Sequence, residues 1–249
     1  MSDEKVQLPK GWVEGLVPTL NHSGFMFEVL DEYADDFILF SGATTDEVLE
    51  IGCAYGVATI AALNAGGRVR ATDIDQRHLD ILRERVPEEL QANLTTEVQS
   101  LPKLDLPENE FAAILCSRVL HFLSGDDIDA SVKAMFKCLQ PGGSLYIVAD
   151  SAYGVWRKFI PVWKANVAAG KRWPGYMEPA LDYLPYEVKG EQTGPDFMNL
   201  LSPELLERTC TEAGFEVKRT SWISRDDFKK EGSMDGRENC GILAIKPRY

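Results

Sequence analysis

Short apolar runs alternate along the chain with segments whose apolar residues recur at helical spacing. Apolar runs bounded by turn-forming residues predict five buried strands, at residues 48–51, 69–72, 94–98, 112–117 and 144–149. Helical periodicity predicts helices between them, at residues 57–64, 76–90 and 128–139, with Pro87 as an alternative end of the second. A regular alternation of strands and helices is typical of an α/β fold built on a parallel sheet.

The two ends of the chain follow other patterns. Residues 1–20 contain scattered prolines and glycines and predict an irregular arm, whereas residues 24–37 predict a helix with Ser23 as its N-cap. Ser202 and Pro203 predict the start of a late helix, and Gly214 predicts its end. Two final strands are predicted at residues 215–223 and 240–246.

The segment at residues 151–201 is rich in aromatic residues, prolines and glycines. It follows the fifth predicted strand, and open α/β sheets bind ligands beyond the carboxyl ends of their strands. We therefore expect a lid and substrate pocket there. The alternative is an ordinary helical insert whose aromatic side chains form a core of their own.

Composition narrows the class of protein. With 249 residues, 45% hydrophobic residues and a mean hydropathy of −0.18, the chain suits one globular domain. No apolar run approaches the roughly 20 residues of a membrane helix, and the polar N-terminal segment lacks the apolar core of a signal peptide. Five cysteines without a C-x-x-C pair indicate reduced thiols, with no disulfide frame and no zinc site. We expect a cytoplasmic protein without membrane partners.

The net charge of −13 changes the list of partners. Broad contact with nucleic acid needs clustered Lys and Arg, so no nucleic-acid partner is expected. An acidic surface could attract a basic protein substrate, and that alternative stays open.

The most informative stretch joins the first two strands. Gly52 and Gly56 bracket a turn between the first strand and a helix of small residues, and Asp73 lies at the carboxyl end of the second strand. Such a βαβ unit binds nucleotides, and a carboxylate at Asp73 can accept hydrogen bonds from two ribose hydroxyls. The glycine spacing does not fit the dinucleotide fingerprint G-x-G-x-x-G, and the chain contains no P-loop sequence. An NAD-dependent dehydrogenase is therefore disfavoured.

The run Glu50-Ile51-Gly52-Cys53-Ala54-Tyr55-Gly56 resembles the acid-x-G-x-G-x-G motif of class I S-adenosylmethionine (SAM) methyltransferases, with Ala54 in place of the middle glycine. A leucine-x-Pro-Gly-Gly-x-leucine turn at 139–145 and the segment LDLPENEF at 104–111 are also similar to that family. The resemblance covers about residues 47–150.

The resemblance implies a three-layer, Rossmann-like sheet with strand order 3-2-1-4-5-7-6 and an antiparallel last strand. It implies one domain over 1–249. Its parts are an N-terminal cap with a leader helix (1–46), a SAM-binding core (47–150), the aromatic insert (151–201) and a C-terminal helix with a strand pair (202–249).

The resemblance also assigns roles in binding SAM or its product S-adenosylhomocysteine. It implies that Glu50 orients the methionine amino group and that Asp73 binds the ribose hydroxyls. The other cofactor-binding residues it implies are Gly52, Cys53, Ala54 and Gly56 along the turn, Ile74 against adenine, Ser100 and Leu101 at the adenine edge, and Cys116 and Arg118 at the methionine end. Ser100 stands where the family has an Asp. Without the resemblance, Glu50 could cap its own loop and Asp73 could be a turn acid.

Methyl transfer from a sulfonium is an in-line displacement that depends mainly on alignment of the nucleophile. His121, just beyond the fourth strand, is the main candidate for a base or an acceptor-orienting group. It could also serve in a second layer of hydrogen bonds or cap a helix. Asp150 and Tyr153, beyond the fifth strand, are weaker candidates. His78, early on a helix, is expected to be solvated, and no metal-ligand cluster is visible.

We therefore predict an enzyme that transfers a methyl group from SAM to a small-molecule acceptor, with an oxygen or nitrogen atom favoured. The alternatives are a non-catalytic SAM- or S-adenosylhomocysteine-binding protein with a protein partner, and a protein methyltransferase. The acceptor and the oligomeric state are left open.

Overall fold

The computed structural model describes residues 8–10, 15–184, 196–228 and 232–248. The elements in chain order are β1 (Leu16–Pro18), β2 (Phe25–Phe27), α1 (Glu32–Ala43), β3 (Glu47–Ile51), α2 (Val57–Asn64), β4 (Arg68–Asp73), α3 (Gln76–Arg85), β5 (Leu94–Val98), β6 (Phe111–Ser117), α4 (Gly125–Cys138), β7 (Leu139–Asp150), α5 (Ile160–Ala168), β8 (Tyr176–Met177), β9 (Met198–Asn199), α6 (Pro203–Ala213), β10 (Glu216–Ile223) and β11 (Asn239–Ile245). Short 3₁₀ turns cover residues 88–93, 120–122, 157–159 and 180–183.

Seven strands form the central sheet, in the order β10-β11-β7-β6-β3-β4-β5. The five strands from β3 to β7 pair in parallel, whereas β11 pairs antiparallel with both β7 and β10. Counted along the chain without the short outlying pairs, this is the predicted order 3-2-1-4-5-7-6. The predicted α/β fold class with its antiparallel last strand is confirmed.

Helices cover both faces of the sheet, which makes three layers. Leu49 and Ile51 of β3 pack into the core beneath α4 and α6, while Val48 packs into the core beneath α1, α2 and α3. Neighbouring residues of a strand point to opposite faces, so a strand buried on both sides is apolar throughout. This is why Phe111 to Cys116 of β6 form a continuous apolar run, whereas Glu50 interrupts the apolar residues of β3.

The predicted leader helix is wrong in position. Residues 16–18 and 25–27 form an antiparallel hairpin, in which Val17 pairs with Met26. The helix begins only at Glu32, because the Asp31 side chain accepts hydrogen bonds from the backbone N–H groups of Tyr33 and Ala34 and so forms the N-cap. Ser23 caps no helix. The irregular arm predicted over 1–20 is also wrong at residues 16–18, and residues 1–7 and 11–14 lie outside the described part.

Other boundaries moved by a few residues. The helix predicted over 76–90 ends at Arg85, since Pro87 is followed by a 3₁₀ turn. The strand predicted from residue 144 begins earlier, at Leu139, because the Pro141-Gly142-Gly143 segment forms part of β7. Gly142 adopts a φ of +86° there. The late helix starts at Pro203 with Ser202 as its N-cap and ends before Gly214, as predicted.

The insert packs against the main core. Its buried aromatic side chains, Tyr153, Trp156, Phe159 and Trp163, belong to the same cluster as α4, α6 and the sheet. They do not form a separate core. The segment 185–195 of the predicted lid lies outside the described residues.

Candidate active site

The turn between β3 and α2 depends on its two glycines. Gly52 and Gly56 have φ values of +73° and +81°, which favour glycine. A Cβ atom at Gly52 would lie 2.4 Å from Cγ2 of Val119, and one at Gly56 would lie 2.1 Å from Cδ1 of Leu82. A larger residue at either position would therefore be strained and crowded.

Glu50 lies at the end of β3 with its side chain buried. The Thr59 hydroxyl on α2 donates a hydrogen bond to Oε2 of Glu50. Burial raises the pKa of the Glu50 carboxyl to about 7, an effect that the Thr59 hydrogen bond partly offsets and the nearby Asp73 charge increases. A cation bound beside this carboxyl would favour its ionised form.

Asp73, at the carboxyl end of β4, is tied into the protein by both oxygens. Oδ2 accepts a hydrogen bond from the Ala54 N–H at 2.9 Å, and Oδ1 accepts from the Asp75 N–H at 3.0 Å and from His78 Nδ1 at 2.9 Å. A carboxylate offers about four acceptor positions. The residues that the structure describes use three of them, which leaves one position, on Oδ2. Asp73 is thus both a turn acid and an acceptor with capacity for one more hydrogen bond.

His78 was expected to be solvated, but this prediction is wrong. The residue is buried, with 1% of its surface exposed. Its Nε2 accepts a hydrogen bond from the Leu20 backbone N–H at 3.0 Å. Because Nε2 accepts, the proton of the ring lies on Nδ1, which donates to Asp73. The spacing of four residues between His78 and Leu82 places them on one helix face and could have revealed the burial.

A cavity of about 320 Å³ lies between the hairpin and the carboxyl ends of the strands. Most of the predicted cofactor residues line it, namely Glu50, Gly52, Cys53, Ala54, Asp73, Ile74, Ser100, Leu101 and Arg118. Gly56 and Cys116 do not; Gly56 faces Leu82, and Cys116 is fully buried in β6. Ile74 stands out as a large apolar side chain that is 62% exposed.

Arg118 anchors the other side of the cavity. Its φ of +59° turns the chain sharply after β6. The guanidinium lies 3.1 Å from Oδ2 of Asp31, donates to Oδ1 of Asn239 at 3.1 Å and stacks on the Phe27 ring at 4.3 Å. Burial lowers its pKa, while the Asp31 charge opposes that effect. The Arg118 guanidinium therefore connects the turn after β6 with β2, the N-cap of α1 and the start of β11.

His121 lies outside the cavity lining, in the 3₁₀ turn after β6. Its Nδ1 accepts the Asp150 N–H at 3.0 Å, so in the neutral ring the proton lies on Nε2. Burial lowers the pKa of His121, which keeps the ring neutral. The atom with the lone pair that a base needs thus faces the backbone of β7, and Nε2 is a hydrogen-bond donor.

The two weaker catalytic candidates are also outside the lining. The Asp150 carboxylate accepts hydrogen bonds from Asn239 Nδ2 at 2.9 Å and from Trp156 Nε1 at 3.2 Å. The Tyr153 ring packs edge-on against Trp222, with the Arg237 guanidinium 3.6 Å from its centre.

Several residues that line the cavity were not predicted from the sequence. They come from the hairpin and from the turn after β6: Thr19, Asn21, Phe25, Met26, Phe27, Phe122 and Leu123. Gln99 also lines the cavity. None of the described residues between 151 and 201 contributes to this lining. Short hairpin strands of three residues each carry too little periodicity to be recognised from sequence.

Two negative observations complete the site. Within residues 15–184, 196–228 and the other described ranges, no group of three or more His, Cys, Asp or Glu side chains is placed to hold a metal ion. The helices in the described part of the chain are all too short or too polar to cross a membrane.

Comparison with known proteins finds a similar domain family for the central part of the chain. Residues 48–143 match the model of a methyltransferase domain family. A comparison with curated proteins gives no significant match.

Solved structures extend the similarity to most of the chain. A SAM-dependent methyltransferase from Methanosarcina mazei aligns with a TM-score of 0.61 at 18% identity, covering 82% of this chain and 93% of that one. One from Mesorhizobium loti aligns with a TM-score of 0.60 at 18% identity, covering 85% and 97%. The glycopeptide N-methyltransferase MtfA, complexed with SAM, aligns with a TM-score of 0.56 at 16% identity, covering 86% and 92%. At such identities the similarity shows a shared fold.

Proposed function

We propose, from the premise that the chain carries a methyltransferase domain on the class I fold, that it transfers a methyl group from SAM to a small-molecule acceptor at oxygen or nitrogen. One observation carries the proposal. Two buried carboxylates, Glu50 and Asp73, end neighbouring parallel strands and open onto the same cavity. This is the edge of an open α/β sheet at which ligands bind.

The donor set of the cavity fits SAM. Glu50 would bind the methionine ammonium, because an adjacent cation favours the ionised form of a buried carboxyl. Asp73 would accept one ribose hydroxyl at the remaining position of Oδ2, since the protein already uses the other three. Ile74 and Leu101 offer apolar contacts to the adenine, with Ser100 at its edge.

The methionine end of SAM would lie between the turn at Gly52 and Arg118, both of which line the cavity. When bound, SAM supplies an electrophilic methyl group on a sulfonium. The chain contributes alignment and exclusion of water, and alignment alone can lower the barrier by about 7–11 kcal/mol.

The walls on the acceptor side support a small, largely apolar acceptor. Phe27, Phe122 and Leu123 line the cavity, and such side chains exclude water and position a flat or aliphatic molecule. His121 would act from behind this wall as an orienting group, because its Nε2 is a donor. Asp150 and Tyr153 stay weaker candidates, since their polar groups serve contacts within the protein.

A polypeptide acceptor is the second candidate. The net charge of −13 would attract a basic protein. Among the structures with this fold, one acts on a glycopeptide and another is a complex of a putative methyltransferase with the Haloferax volcanii activator Trm112.

Calorimetric titration of the purified protein with SAM and S-adenosylhomocysteine, with NADH as the control, tests the proposal. Micromolar binding of either adenosyl ligand supports it, and a subsequent screen of amines, phenols and basic peptides separates the two acceptor classes. If a demonstrably folded protein binds neither ligand, the proposed function is refuted.

A further inference from the structure

The hairpin of β1 and β2 covers the cavity. Residues of β2 and of the turn that precedes it line the cavity together with Glu50, Asp73 and Ile74. Its tip reaches the opposite wall, because a Cβ atom at Gly24 would lie 2.9 Å from the Phe122 ring. A ligand that enters between the hairpin and the sheet must therefore pass this segment.

Three side chains, from the turn after β3 and from α3, form hydrogen bonds with backbone groups of the hairpin at residues 18 and 20. The Tyr55 hydroxyl donates to the Pro18 carbonyl at 2.8 Å, and Arg77 Nη2 donates to the Leu20 carbonyl at 3.1 Å. The third contact is the Leu20 N–H, which donates to His78 Nε2 at 3.0 Å. Of these three side chains, His78 is the one that also binds Asp73.

The resulting chain of hydrogen bonds runs from the hairpin to the acid of β4. The Leu20 N–H donates to Nε2 of His78, and Nδ1–H of the same ring donates to Oδ1 of Asp73. The ring is buried and held edge-on by Tyr55, with 5.1 Å between ring centres. A neutral imidazole has one donor and one acceptor, so both bonds exist together only with the proton on Nδ1. Movement of the hairpin therefore changes the support of Asp73.

We propose that His78 is a positioning residue that couples closure of the hairpin to the orientation of Asp73 toward the ribose. The inference rests on the proposed function, because it takes Asp73 as the ribose acceptor. With the hairpin in place, His78 holds Oδ1 and leaves the free position of Oδ2 directed into the cavity. When the hairpin leaves, His78 loses its acceptor contact and Asp73 loses a fixed donor.

Two amide variants separate the two bonds. His78→Asn places an amide N–H near the Nδ1 position and keeps the donor for Asp73, but it loses the acceptor for Leu20. His78→Gln places an amide oxygen near the Nε2 position and keeps the acceptor for Leu20, but it loses the donor for Asp73. Arg77→Ala is the matched control, since it removes a contact to the same hairpin residue without touching Asp73.

We expect SAM to slow hydrogen exchange of the Leu20 amide in the wild-type protein and in Arg77→Ala. In both His78 variants this slowing disappears, and SAM binds about tenfold more weakly, the effect of losing one net hydrogen bond of about 1.4 kcal/mol. In His78→Asn the loss lies mainly in faster SAM dissociation, because the cover no longer holds. A ¹⁵N spectrum of the wild-type ring is expected to show the Nδ1–H tautomer.

The outcomes separate the two proposals. If the wild-type protein does not bind SAM, the proposed function falls, and the coupling with it. If it binds SAM, and either His78 variant keeps both the wild-type affinity and the SAM-dependent slowing at Leu20, only the role of His78 is overturned. An Nε2–H or doubly protonated ring in the wild-type spectrum overturns the hydrogen-bond chain without any variant, so the inference can be refuted even if both variants fail to fold.

Discussion

Replacing Glu50 with glutamine should make the protein more stable and less able to bind SAM. The two side chains have nearly the same shape, and the Thr59 hydroxyl can donate to the amide oxygen as it does to Oε2. The change therefore removes an ionisable group from a buried position while leaving the packing of β3 intact. Opposite effects on stability and binding distinguish a functional charge from a structural one.

The effect on stability follows from the raised pKa of Glu50. The unfolded chain loses this proton near the ordinary value of 4.5 and the folded protein near 7, so the free energy of unfolding falls as pH rises between those values. The difference between the two values, at about 1.36 kcal/mol per pKa unit, gives a cost of at most about 3 kcal/mol for the ionised form. About 2 kcal/mol of it develops between pH 5.5 and 8.5. Glu50→Gln carries no such cost.

The assays are urea unfolding at pH 5.5 and 8.5, and SAM titration at neutral pH. We expect the variant to exceed the wild-type protein in unfolding free energy by about 2 kcal/mol more at pH 8.5 than at pH 5.5. We expect its SAM affinity to fall by about 10- to 100-fold, as for loss of a charged hydrogen bond.

Glu47→Gln makes the same chemical change on the same strand and serves as the control. Glu47 forms an ion pair with Arg70 at 2.7 Å and does not line the cavity, so SAM affinity should not change. Equal pH dependence of stability in wild-type and Glu50→Gln proteins would refute the raised pKa. Unchanged SAM affinity in Glu50→Gln would refute the ammonium contact.

Three further predictions follow from neighbouring contacts. Thr59→Val removes the donor to Glu50, so the pKa of Glu50 should rise further, and the pH above which SAM binds well should move upward in titrations across pH 6–9. His121→Asn keeps an acceptor for the Asp150 N–H but loses Nε2; turnover should fall with SAM affinity intact, and equal turnover would leave His121 a purely structural residue. Gly56→Ala should lower the thermal midpoint more than Gly66→Ala does. Both positions have a positive φ, which costs a non-glycine residue about 1–2 kcal/mol. A Cβ atom at Gly66 meets nothing within 4 Å, whereas one at Gly56 would crowd Leu82. Equal losses would show that crowding at Gly56 is relieved at no cost.

The parts of the site that local sequence determines could be predicted. The glycine turn, Glu50 and Asp73 lie within one strand–helix–strand unit, so residue order alone places them at one edge of the sheet. Ser202, Pro203 and Gly214 likewise mark the ends of α6 through their own backbone preferences. Such features need no knowledge of distant residues.

The parts of the fold and of the site that depend on contacts between distant residues could not be predicted from the sequence. Phe27 continues the helical spacing of Leu30 and Tyr33, but it belongs to a strand, because the hairpin gains a partner surface in Tyr55 and its neighbours. Because the hairpin occupies residues 16–27, the helix begins later than predicted, and its N-cap is Asp31 and not Ser23. The hydrogen bond between His78 and the hairpin could not be predicted either, because the Leu20 N–H comes from 58 residues earlier in the chain.

The position of β11 has a consequence for the order in which the protein can mature. This strand is the last of the seven to be synthesised, yet it lies between β7 and β10 in the sheet. Asn239 at its start supplies the acceptor for Arg118 and a donor for Asp150. A nascent chain on the ribosome can assemble β3 to β7 as a unit, but Arg118 and Asp150 gain these partners only after residue 239 has emerged. The edge of the sheet that carries Glu50 and Asp73 can thus form early in synthesis, whereas Arg118 gains its Asn239 contact only when translation has passed the start of β11.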